Sequence, residues 1–100
     1  MPAEKVCSVS DVKPGSAKCV KFAGKDLALF NVGGKFYAID NKCTHVGGPL
    51  CQGKISANDV VCPWHGSKFD VTTGAVKGPP AIKPVKAYKV TIKGQDVLVE

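Results

Sequence analysis

"KCTHVGGPLCQG", residues 42–53, holds a cysteine, a histidine two positions on, two glycines and a proline. A shorter echo follows in "VCPWHGSKFD", residues 61–70, where cysteine and histidine are again close and glycine follows at once. The chain has only two histidines, and both stand beside a cysteine. The spacing is Cys43-x-His45, then sixteen intervening residues, then Cys62-x-x-His65. Two thiolates and two imidazoles can hold either zinc or an iron–sulfur cluster. Zinc fingers group a cysteine pair and then a histidine pair, whereas here each loop supplies one of each. That interleaving suits a two-iron centre clamped by both loops, with cysteines toward one iron and histidines toward the other. Gly47, Gly48 and Gly66 allow backbone N–H groups to turn inward, where bridging sulfides need donors. Zinc held by four side chains leaves no sulfides to satisfy.

Outward from these loops the sequence reads as strands. "KCVKF" (18–22) and "LALFNV" (27–32) flank a turn at Gly24-Lys25, and "KFYAID" (35–40) follows Gly33-Gly34. "DVVC" (59–62), "SKFDV" (67–71) and "AVK" (75–77) are shorter, with Thr73-Gly74 turning between the last two. "KAYKVTIKGQDVLVE" alternates and turns at Gly94-Gln95, as a closing hairpin does. Nothing longer than a turn reads as helix; "SDVKPG" suits one short turn. The expectation is an all-β antiparallel sandwich or small barrel. Both cysteine–histidine stretches fall in loops, and "GPPAIKP" (78–84) forms a third, stiffened by prolines.

The 100 residues are enough for one domain, and 44% apolar content for one modest core. No stretch is apolar and long enough to span a membrane, and the N-terminus lacks the pattern of a signal peptide. A cytoplasmic monomer is expected. Five cysteines, an odd number in a reducing compartment, argue for metal or redox chemistry over a disulfide framework. Cys7 and Cys19 sit in strand-like runs and read as core residues, with a disulfide or thiol chemistry as the alternative, and Cys51 reads as a loop-packing residue, with a redox role as its alternative. The net charge of +6 comes from lysine alone, with no arginine forks or stacking aromatics to grip nucleic acid. A basic docking surface for an acidic protein is the better reading, with Lys42, Lys68 and Lys77 beside the loops as its candidates.

"CTHVGG" together with "CPWHGSKFD" resembles the paired cluster-binding boxes of Rieske-type ferredoxins, and "GPP" follows at the expected place. The resemblance runs from about Phe36 through the proline loop. It implies one [2Fe–2S] cluster per chain, with Cys43 and Cys62 on one iron and His45 and His65 on the other. It also implies a Rieske fold over residues 1–100 as a single domain. Within it a cluster-binding subdomain, about residues 41–83, is built from the two loops and the proline-rich third. Gly47, Gly48, Trp64, Gly66, Ser67 and Pro79 are expected to hydrogen-bond or shield the cluster.

The high-potential members of the family carry an extra cysteine in each box, joined as a disulfide; here Gly48 and Trp64 stand at those positions. They also place a serine and a tyrosine after the second box, and this chain keeps Ser67 but has Phe69. The chain is therefore most similar to the soluble ferredoxins that serve bacterial ring-hydroxylating dioxygenases. Histidine ligation leaves the oxidised site neutral where four cysteines would leave it at −2, so the potential is raised, to roughly −150 to +300 mV in such centres. The implied function is one-electron transfer, from an NAD(P)H-dependent flavoprotein reductase to a terminal oxygenase. With both histidines committed, no oxygenase site or nucleophile–histidine pair remains, so the chain is a carrier and not an enzyme. The alternative is the Rieske-type small subunit of a reductase assembly, such as an assimilatory nitrite reductase.

Overall fold

In the computed structural model, residues 3–43, 48–64, 66–79 and 81–100 are described. They form eleven strands: β1 (Glu4–Ser8), β2 (Ser16–Phe22), β3 (Lys25–Val32), β4 (Lys35–Asp40), β5 (Lys54–Ser56), β6 (Asp59–Val61), β7 (Lys68–Asp70), β8 (Val76–Gly78), β9 (Ala87–Tyr88), β10 (Val90–Lys93) and β11 (Asp96–Val99). Two single 3-10 turns, Val9–Asp11 and Leu50–Gln52, are the helical elements among the described residues. All strand pairs are antiparallel, in sheets ordered β1-β11-β10, β2-β3-β4-β9 and β5-β6-β7-β8. The all-β expectation holds.

The run "LALF" explains the layering. Along β3, Leu27 and Leu29 point into one core while Ala28 and Phe30 point into another, the period of two that a strand imposes. All four are fully buried. β4 repeats the split, with Ala38 on one side and Ile39 on the other. The first core adds Val12, Val20, Phe22, Val97 and Val99, so it lies against the β1-β11-β10 sheet. The second adds Cys43, Leu50, Cys51, Val60, Cys62, Phe69 and Val85, so it lies toward the two cysteine loops. The middle sheet is thus covered on both faces, which is why its central strand is a continuous apolar run.

Two-residue turns set the registers. Val32 faces Lys35 across Gly33-Gly34, both at positive φ (61° and 92°), as the favoured hairpin turn requires. The β2–β3 turn falls one residue earlier than expected, on Ala23-Gly24, because Phe22 pairs with Lys25. β5 had no expectation and β1 only the strand-like run around Cys7: β1 is half-exposed apart from Cys7 and gains its place from pairing with β11, β5 from pairing with β6.

Candidate metal centre

The first loop leaves the end of β4 and is closed at its neck by residue 41. Asn41 O accepts the Leu50 N–H at 2.7 Å, and its side-chain Oδ1 accepts the Cys51 N–H at 2.8 Å. Lys42 and Pro49 form an isolated bridge, and the Cys43 N–H donates to Gly48 O at 2.9 Å. The second loop is closed likewise. The Cys62 N–H donates to Ser67 O at 2.7 Å, and the Gly66 N–H to Cys62 O at 3.1 Å. Each cysteine therefore stands at the neck of a tight loop, held by its own backbone.

The two loops meet. A β-carbon on Gly48 would lie 2.6 Å from Cys62 Sγ and 3.3 Å from the Trp64 ring, so only glycine lets the first loop approach the second this closely. Cys43 and Cys62 are both buried, free of disulfide, and share a core with Leu50, Val60 and Phe69. Thiolates in such surroundings are costly without a cation to neutralise them. The donor set, with a cradle that a single methyl would fill, fits an iron–sulfur group.

The third loop is tied to the second by a buried bond: Ser67 Oγ accepts the Ala81 N–H at 3.0 Å. Ser67 is fully buried, so this hydroxyl belongs to the interior of the site. Trp64 is 58% exposed although its ring lies against Gly48. Pro79, Lys42, Lys68 and Lys77 are exposed and Gly66 lies on the second loop's surface. His45, Gly47 and His65 lie outside the described residues.

The Rieske [2Fe-2S] domain profile matches residues 3–89. The chain belongs to the Rieske family. The biphenyl dioxygenase ferredoxin subunit of Pseudomonas sp. (strain KKS102) is 45% identical, covering all of this chain and 93% of that protein. Among solved structures, the ferredoxin of carbazole 1,9a-dioxygenase from Nocardioides aromaticivorans IC177 superposes with a TM-score of 0.94 at 33% identity, covering 99% of this chain and 97% of that one. The ferredoxin in a complex of reduced oxygenase and oxidised ferredoxin of carbazole 1,9a-dioxygenase is 36% identical, with a TM-score of 0.90 and coverage of 97% and 91%. This Rieske chain is a ferredoxin-type electron carrier with one [2Fe–2S] cluster, and not a catalyst in its own right.

Two features of the Rieske site escaped the sequence reading. Cys19 is not a core residue: it is exposed on β2 and disulfide-bonded to Cys51, whose role is therefore more than packing. An exposed position on an edge strand gives no apolar periodicity error to notice, and the two cysteines lie 32 residues apart. Cys7 is buried in the first core as expected, and burial pushes its thiol pKa up. The other omission is Ile82, 87% exposed in the proline loop. An isoleucine between prolines, with no strand partner, was the available signal.

Proposed function

We propose that Cys43 and Cys62 hold one iron of the cluster and His45 and His65 the other. On this reading the chain relays single electrons in the cytoplasm, from an NAD(P)H-dependent flavoprotein reductase to a terminal oxygenase. The observation that carries the ligand set is the pair of buried, free cysteines at loop necks that meet across Gly48. Residues 41–83 act as the cluster-binding subdomain of a single domain spanning 1–100, and the protein works as a monomer.

When bound, the cluster accepts and releases one electron at a potential raised by histidine ligation. The chain's own residues do the rest. Leu50, Val60 and Phe69, all fully buried, keep water from the cysteine side of the site. Ser67 clasps the proline loop over it and retains its own hydroxyl hydrogen for donation. Trp64 and Ile82 are exposed apolar side chains on the second and third loops, while Lys42, Lys68 and Lys77 are exposed charges beside them. Exposed apolar side chains on these loops, with basic residues close to them in sequence, suit an acidic partner surface. Identities of 45% and 33% to dioxygenase ferredoxins, against 20% to a solved structure described as a nitrite reductase small subunit, support this carrier role over that of a reductase small subunit.

Metal analysis tests the ligand set. The parent should carry two irons and two labile sulfides per chain. Cys43→Ser and Cys62→Ser should each lose them, together with the visible absorption, because a hydroxyl replaces a thiolate poorly. A full cluster in either variant, or one zinc per chain in the parent, would overturn it.

A further inference from the structure

We propose that Cys19 and Cys51 form a reversible thiol–disulfide site whose state sets how firmly the first cluster loop is held. Their Cα atoms are 5.1 Å apart, inside the span that a bridge needs with no backbone movement. Cys19 lies exposed on β2, an edge strand of its sheet, and is the end of the bridge from which a small thiol would approach. Cys51 is buried at the other end, in the 3-10 turn that closes the first loop.

That turn is the foundation of the loop. Leu50 and Cys51 both donate backbone hydrogen bonds to Asn41, two residues before Cys43. Those bonds close the loop on itself, and among the described residues its neck is tied to the sheet beneath by the Asn41 N–H, which donates to Asp26 O at 3.2 Å, by packing and by the disulfide. Cutting the disulfide therefore removes the one covalent fastening between the cluster loop and β2, which raises the freedom of the open state.

The chemistry needs only a glutathione-class thiol. Its thiolate attacks Sγ of Cys19, forms a mixed disulfide and expels Cys51 Sγ, which takes up a proton. A second thiol attacks the outer sulfur, releasing Cys19 as a thiol and one small-molecule disulfide. The protein gains two electrons and two protons, and two thiols are oxidised. A glutathione disulfide excess runs the same steps in reverse.

The loop effect rests on Cys43 being a cluster ligand, but the thiol site does not. Purified holoprotein is therefore equilibrated across glutathione/glutathione disulfide ratios, alkylated and mapped by mass spectrometry. A joint transition of Cys19 and Cys51, from both protected to both alkylated, is expected. Amide exchange at Leu50 and Gly53, whose N–H groups are bonded within this segment, should speed about tenfold in the dithiol form. Cluster absorbance in the presence of a chelator should decay faster by a similar factor. Cys19→Ala, at an exposed position, should reproduce both rates without glutathione and show no response to it, with a circular dichroism spectrum like the parent's marking the sheets as formed. Thiols that stay alkylatable at every ratio, or exchange rates equal in the two forms, would overturn the proposal. Faster exchange with unchanged cluster decay would instead remove the link to the cluster and sink the coupling.

Discussion

Gly48 and Cys62 are in contact across two loops, so closely that a β-carbon on the glycine would lie 2.6 Å from the cysteine Sγ. Real β-carbons do not approach so near, so Gly48→Ala must displace either the sulfur or the loop. Overpacking of this kind costs about 1–3 kcal/mol. For a chain of this size each kcal/mol moves the melting temperature by about 4–8 °C. Gly48→Ala should therefore melt well below the parent and carry less iron per chain. Normal melting and full iron content would mean that the loops stand farther apart.

Ser67 joins two roles that one variant can separate. Ser67→Ala leaves the Ala81 N–H without its acceptor among residues almost wholly removed from water. An orphaned buried donor costs about 1–3 kcal/mol, read in urea unfolding. If the hydroxyl also donates to the cluster, its loss disfavours the more negative reduced state, and voltammetry should show a lower potential. Lower stability with an unmoved potential would leave Ser67 as a clasp for the proline loop alone.

The Tyr88 hydroxyl donates to Asp40 Oδ1 at 2.7 Å, joining β9 to the end of β4 from which the first loop departs. Burial first, and then the Asp40 carboxylate, push its pKa up to about 12. In the unfolded chain a tyrosine ionises near ~10. Between those values the unfolded state holds fewer protons than the native one, so stability falls as pH rises through this window and the contribution is fully present below it. Tyr88→Phe should be less stable near neutrality by about 1 kcal/mol, and the gap should close between pH 10 and 12. Denaturant unfolding of both proteins over that range is the measurement. A gap that stays constant would mean that the hydroxyl does not hold its proton as described.

What the sequence revealed of this molecule follows from where its signals are local. β4 spans the same residues in both readings, because "KFYAID" starts at a Gly-Gly turn and ends where the loop begins. Both histidines stand beside cysteines in the sequence, which singled out Cys43 and Cys62, and the structure has these two buried, free of disulfide and at the necks of loops that meet at Gly48. β1 was legible only around Cys7, since its other residues are half-exposed and its order comes from β11, more than eighty residues away. The disulfide was hidden for the same reason, as Cys19 and Cys51 meet only once β2 and the 3-10 turn are packed. Phe69 carries a further lesson. Read as a position that merely lacks a hydroxyl, it is a fully buried member of the core shared with Cys43 and Cys62. A tyrosine there must find a partner for its hydroxyl or cost the core stability.

Lys42, Lys68 and Lys77 are exposed, and none of the ion pairs found among the described residues involves them. Lys68 and Lys77 lie on adjacent strands β7 and β8, close to the second loop, while Lys42 stands at the neck of the first. Charges so placed act on encounter with an acidic partner more than on the final affinity. Rapid-mixing measurement of electron transfer to a terminal oxygenase should then slow with salt, over a screening length of about 8 Å at physiological ionic strength. Lys68→Glu should reduce both the rate and its salt dependence, whereas Lys93→Glu, on the β10–β11 hairpin, should change neither greatly. Ile82→Ser should act differently. It removes an apolar contact without altering charge, so the complex should dissociate faster while the salt dependence stays the same. If Lys68→Glu and Lys93→Glu were equally mild, the basic rim would take no part in docking. If Ile82→Ser left dissociation unchanged as well, the partner would have to approach by another face.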